Sequence, residues 1–163
     1  MQRTMIDVRR ATVHDIEQLK NLVIASVLEL CKEHYTPKEL QSLLAQYPRR
    51  ELYEKWIDER VLVVAEYKGT IVGFAQYFPQ DSSIEAVHVS PGHAKQGIGQ
   101  MVVARMEEIA RHQGAKKITL SSSLNAIGFY EKCGYIRKDS GKFWCNDGVE
   151  LGVVNFEKEL CNE

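Results

Sequence analysis

Apolar positions recur at two spacings along the chain, and the change between them separates a helical opening from a strand-rich remainder. Ile6 to Arg9 reads as a short first strand. From Ile16 the apolar residues Leu19, Val23, Val27 and Leu30 follow at steps of three and four, the period of one helix face. Thr12 is placed to cap this helix, with Asp15 at the third position. Thr36, Pro37 and Glu39 give a second start: a hydroxyl cap, a proline at the first helical position and an acid to close the box. Leu40, Leu43, Leu44 and Tyr47 form its stripe, which Pro48 should stop, and Leu52, Tyr53, Trp56 and Ile57 predict a further helical segment.

The pattern then turns to strands. Val61 to Tyr67 and Ile71 to Phe78 are β-rich runs joined by Lys68-Gly69, a hairpin signal, and Ile84 to Val89 is a third run ended by Pro91-Gly92. Helical spacing returns at Ile98, Val102, Met106, Ile109 and Ala110, closing near Gly114. Lys117 to Ser121 alternates as a strand, and Asn125 is expected to cap a short helix ending at Gly134. Tyr135 to Trp144 and Val149 to Glu157 predict a last hairpin around Asn146-Asp147-Gly148. The order predicts an α/β fold. A central mixed sheet is flanked by helices, with its parallel part around the middle strand–helix–strand unit.

Composition narrows the function classes. The 163 residues suit one domain spanning 1–163. With 21 Lys and Arg against 22 Asp and Glu, the net charge of −1 lacks the footprint of a nucleic-acid binder. No apolar stretch approaches the 18 or so residues of a membrane span, and the opening residues do not read as a secretion signal. Cys31, Cys133, Cys145 and Cys161 form no CxxC pair and have no histidine at ligand spacing, so no metal is expected. Reduced thiols in a cytoplasm are the simplest expectation.

One segment carries chemistry. Ser90-Pro91-Gly92-His93-Ala94-Lys95-Gln96-Gly97-Ile98-Gly99 lies between a strand and a helix. Glycines one residue apart let a backbone approach a ligand, and the open N–H groups of a helix start favour a phosphate or pyrophosphate. Lys95 adds a positive charge at the rim. The Walker pattern fails because no Gly-Lys-Ser/Thr follows, and the dinucleotide fingerprint fails because no third glycine follows Gly99.

Val87-His88-Val89-Ser90-Pro91 followed by Gln96-Gly97-Ile98-Gly99 resembles the acyl-coenzyme A site of the GNAT N-acetyltransferase superfamily. Ser123-Leu124-Asn125-Ala126-Ile127-Gly128-Phe129-Tyr130, running on to Gly134 and Tyr135, is similar to that family's later motif. The paired motifs cover Val87 to Tyr135, and the element order suits the family's whole fold. Ala94 stands where the family usually carries Arg or Gln. Ser123 stands where it usually carries Asn, with Asn125 two residues later.

The resemblance implies acetyl-coenzyme A as co-substrate, bound where the central strand and the next parallel strand splay apart. The backbone of the Val87-His88-Val89 stretch would hold the pantetheine arm, and Lys95, Gln96, Gly97, Ile98, Gly99 and Gln100 the pyrophosphate. Ser123 or Asn125 would make a further cofactor contact. It also implies Tyr130 as general acid near the sulfur. Glu85, two residues before Val87 and on its face of an ideal strand, is either a base with raised proton affinity or an edge-exposed glutamate. His88 points to the other face. Tyr35, Tyr47, Trp56 and Trp144 are candidate walls of the acceptor site, with Tyr35 and Trp56 foremost. The activity expected is transfer of an acetyl group to a primary amine, with a small-molecule acceptor preferred over a protein amine. A non-catalytic acyl-coenzyme A sensor on the same fold is the alternative. An exposed edge strand or the last hairpin would serve a homodimer.

Overall fold

Val61 to Tyr77 is nearly all apolar because two strands here are covered on both faces, and each strand splits its residues between two cores. The computed structural model describes residues 5–47 and 49–161. Its seven strands are β1 (Asp7–Arg10), β2 (Val61–Tyr67), β3 (Thr70–Phe78), β4 (Ser83–Val89), β5 (Lys117–Ser122), β6 (Ile136–Trp144) and β7 (Glu150–Glu159), in one sheet ordered β1-β2-β3-β4-β5-β7-β6. The helices are α1 (Ile16–Leu30), α2 (Pro37–Leu44), α3 (Arg50–Glu59), α4 (Ile98–His112) and α5 (Ile127–Lys132). All neighbours in the sheet are antiparallel except β4 and β5.

On one face, Val61, Val63 and Ala65 of β2 and Val72 and Ala75 of β3 pack with Ile98, Val102 and Met106 of α4. On the other, Leu62, Val64, Ile71 and Phe74 meet Ile16, Leu19, Val23 and Val27 of α1. In β2 this is the alternation that strand geometry imposes, whereas in β3 Val72 is an extra residue with no partner on β2, so the phase slips by one there. Gly73 is where α4 presses on the sheet: a Cβ there would lie 2.5 Å from Ile98 Cγ2.

Local signals hold where they are self-contained. Thr36 Oγ1 accepts from the Glu39 amide and the Glu39 carboxylate accepts from the Thr36 amide, so α2 begins with a complete capping box. Lys68 and Gly69 both take positive φ, 49° and 80°, as a two-residue hairpin turn requires. Thr12 and Asp15 form the expected capping box, the Asp15 carboxylate accepting from the Thr12 amide at 2.8 Å, but the turn they open, Val13–Asp15, is 3-10 and α1 follows at Ile16. Both guanidinium nitrogens of Arg9 also hold the Asp15 carboxylate, at 2.8 and 2.9 Å. Asn125, by contrast, is not a helix cap. It lies inside a 3-10 turn at Leu124–Ala126, and Ser123 occupies the capping position. Pro48 falls outside the described residues, and α2 already ends at Leu44.

Candidate functional site

The site is a gap in the sheet. The β4–β5 ladder consists of Ser83 opposite Thr119 and Ile84 opposite Leu120, and it ends there. From Glu85 onward the β5-facing edge of β4 has no strand beside it among the described residues. A cavity of about 890 Å³ occupies the opening, walled by β4, the loop into α4, the turn into α5, α1 with the turn after it, and β6 and β7.

A bulge sets what β4 presents. Tyr77 pairs with Ile84 and Gln76 with Ala86, so Glu85 is an extra residue with no partner on β3. Strand phase slips by one there. Ile84, Val87 and Val89 pack in the α4 core, whereas Ala86 packs in the α1 core. Val87 therefore shares its face with Ile84, not with Glu85, which corrects the ideal alternation. Glu85 is also exposed rather than buried, and Ser83 Oγ donates to its carboxylate at 2.6 Å.

His88, on the opposite face from Val87, packs toward α1. Its ring stacks on Phe74 at 6.0 Å and 9°, Tyr47 meets it edge-on at 5.9 Å, and its Nδ1 lies 3.3 Å from Ser26 Oγ. Burial lowers its pKa to about 4, so the ring is neutral at ordinary pH. Burial, with Glu85 adding to it, pushes the Tyr47 phenol up to about 12.

The loop into α4 supplies open amides. Lys95 and Gly97 take positive φ, 62° and 82°, and Gly97 is the N-cap of α4 without a side-chain acceptor. Its carbonyl accepts from Met101 at 3.1 Å, so the N–H groups of Ile98, Gly99 and Gln100 precede the first helical bond. Lys95, Gly97, Ile98, Gly99 and Gln100 all lie on the cavity wall, whereas Gln96 is exposed and off it. The two glycines serve different ends. Gly97 is needed for its φ, and Gly99 because a Cβ there would meet Phe129 Cε2 at 2.8 Å.

Across the gap, Ser123, Asn125 and Tyr130 join the wall. Asn125 Oδ1 accepts from Cys31 Sγ at 3.3 Å, and the Ser123 carbonyl accepts from Ser122 Oγ at 2.7 Å. Tyr130 is buried, with Phe129 at 4.9 Å and Tyr135 at 5.9 Å, both edge-on. Burial raises its phenol well above the ordinary range, with Cys133 and Tyr47 adding to the effect. Burial likewise pushes the Cys31 and Cys133 thiols up to about 11, so neither is a ready thiolate.

On the α1 side, Tyr35 is on the wall, but its hydroxyl is already committed. It donates to the Gly152 carbonyl at 3.0 Å and accepts from the Leu124 amide at 3.0 Å. Trp56 does not reach the cavity. It packs behind Tyr47 and Tyr53, with the Arg60 guanidinium 5.5 Å from its ring. Trp144 is also off the wall and 62% exposed, and Phe143 beside it is the β6 residue that lines the site. Strand alternation separates adjacent residues, but only the fold selects which one turns inward. Ser26, Leu43 and Phe143 carried no sequence signal of a site, and Leu43 was legible only as part of the α2 stripe.

A family model described as the acetyltransferase (GNAT) family matches residues 25–135. The glucosamine 6-phosphate N-acetyltransferase of Candida albicans is 26% identical over 146 residues, covering 81% of this chain and 87% of that protein. The YyaT protein of Bacillus subtilis is 28% identical over 91 residues, and the match spans only 60% of its length and 56% of this chain. Among solved structures, a GCN5-related N-acetyltransferase from Rhodopseudomonas palustris superposes with a TM-score of 0.90 at 22% identity, covering 98% of this chain and 99% of that one. The PaiA N-acetyltransferase of Thermoplasma acidophilum, solved with coenzyme A, gives 0.80 at 18% identity over 95% and 99%. The seven-stranded mixed sheet is thus the fold of these enzymes, and the chain belongs to the GNAT acetyltransferase family.

Proposed function

We propose that this chain transfers the acetyl group of acetyl-coenzyme A to a primary amine of a small molecule, by direct attack within the cavity between β4 and β5. The observation that carries the reading is the meeting of three features on one cavity wall: the unpaired edge of β4, the open amides at the start of α4, and the buried Tyr130. The unpaired edge at Val87 and Val89 suits the amides of a pantetheine arm, which would bind as an added strand. The helix start, with Lys95 beside it, suits a pyrophosphate. Ser123 and Asn125 flank the same channel. The Candida albicans relative, named for a small-molecule amine, supports that acceptor class.

In the reaction the amine must lose a proton, attack the thioester carbonyl and expel the thiolate. A C–N bond forms as the C–S bond breaks. Glu85, a carboxylate at the cavity wall with Ser83 Oγ on it, is the acceptor assigned to the ammonium proton, directly or through water. His88 is the poorer candidate on geometry, because its ring is packed between Phe74 and Tyr47. Tyr130 stays protonated far above neutral pH, so its O–H is available to the departing sulfur whenever negative charge develops there.

Calorimetric titration with coenzyme A, followed by thiol release from acetyl-coenzyme A over an amine panel, tests this. Binding with turnover that falls sharply in Tyr130→Phe is the expected result. Absence of binding would overturn the proposal. Binding without turnover on any amine would make the protein a sensor instead.

A further inference from the structure

The acceptor half of the cavity is unlike a site for a phosphorylated amine. Its walls are Val27 and Leu30 of α1, Leu43 of α2 and Tyr47 in the turn after it, and Phe143 and Leu151 of the last hairpin. Among the described residues no arginine lies on the cavity wall, and the two lysines there, Lys95 and Lys132, belong to the loop before α4 and to α5, on the coenzyme side. Of the two histidines on the wall, His88 is packed between aromatic rings and His34 is exposed at the turn after α1. The start of α2 is off the wall, and its Thr36 and Glu39 amides are engaged by its own capping box. A phosphate placed here would meet neither a guanidinium fork nor free helix amides, the two groups that normally hold one. What the described walls do offer is a largely apolar and aromatic surface, with Ser26 and His34 on the α1 side and one carboxylate, Glu85.

Resting on the transferase reading above, we propose that the acceptor is a primary amine on an apolar, uncharged body, such as an arylalkylamine or a medium-chain alkylamine, rather than a phosphorylated amino sugar. Its hydrocarbon part packs against Leu43, Tyr47 and Phe143, and its ammonium lies toward Glu85. The Candida albicans relative acts on a phosphorylated amino sugar, so the proposal sets this chain's acceptor apart from that protein's.

The test compares phenethylamine, hexylamine and glucosamine 6-phosphate in the thiol-release assay, with coenzyme A binding measured calorimetrically on the same samples. A kcat/KM for phenethylamine at least 100-fold above that for glucosamine 6-phosphate is expected. Leu43→Arg and, at a half-exposed position that spares the core, Phe143→Lys should each lower phenethylamine kcat/KM tenfold or more while coenzyme A affinity is kept. Equal or better use of glucosamine 6-phosphate would overturn the proposal and leave the transferase reading intact. So would turnover of phenethylamine that neither variant changes. Loss of coenzyme A binding in the unaltered protein would instead overturn the reading beneath it.

Discussion

Gly99 of α4 lies so close to Phe129 of α5 that a Cβ at position 99 would stand 2.8 Å from the Phe129 Cε2 atom. The Phe129 ring in turn packs edge-on against Tyr130 at 4.9 Å. A methyl group at residue 99 therefore pushes, through one ring, on the phenol proposed to protonate the leaving thiolate. Gly99→Ala should lower kcat by about 10- to 100-fold, since displacement of a reacting group by an ångström is enough for such a loss. Gly97→Ala acts differently. It forces a side chain into left-handed backbone at a cost of about 1–2 kcal/mol and should chiefly weaken coenzyme A binding. Steady-state kinetics with calorimetry on both variants checks the split, and the reverse ranking would contradict it.

Tyr130→Phe removes only the hydroxyl and leaves the ring packed against Tyr135 and Phe156. The expected loss in kcat is about 10²- to 10⁴-fold with coenzyme A affinity unchanged. A variant that retains full turnover would remove Tyr130 from the mechanism.

Tyr35→Phe deletes a bridge rather than a reactive group. The Leu124 amide and the Gly152 carbonyl lose their shared partner. Leaving such part-buried groups unsatisfied costs about 1–3 kcal/mol, which urea denaturation would read directly. Because Leu124 sits between Ser123 and Asn125, weaker coenzyme A binding should accompany the lost stability.

His88 should make the fold sensitive to mild acid. Its folded pKa, about 4, lies below the value near 6.5 for an unperturbed histidine, so the unfolded chain binds the proton more readily. Stability is then complete above about pH 6.5 and falls as the pH drops toward 4, with a slope of up to about 1.4 kcal/mol per pH unit. In His88→Gln that slope should flatten when unfolding is followed across the same window. Asp15 contributes at lower pH. Arg9 holds its carboxyl below the usual range, so its contribution is present above the unfolded carboxylate pKa and is lost as the pH falls through the folded one.

Much of the molecule was legible without coordinates because the responsible interactions are local. The Thr36–Glu39 capping box and the Lys68-Gly69 turn each depend on backbone geometry within a few residues. The order of elements and the two motifs, from Val87 to Gly99 and from Ser123 to Tyr135, likewise lie in contiguous stretches. The resemblance paired the α4 start with Tyr130, and the fold puts both on one cavity wall.

What the chain could not reveal by itself depends on contacts between distant segments. The extra residue at Glu85 follows from how β4 registers on β3, and that slip moves Val87 off the face expected for Glu85. Asn125 meets Cys31 across 94 positions, Trp56 sits behind Tyr47, and Phe143 rather than Trp144 faces the cavity. Periodicity specifies which side of an element is apolar. Which of two apolar surfaces closes on a core and which borders a cavity is decided only when the elements pack, because burial is a property of the neighbours and not of the residue.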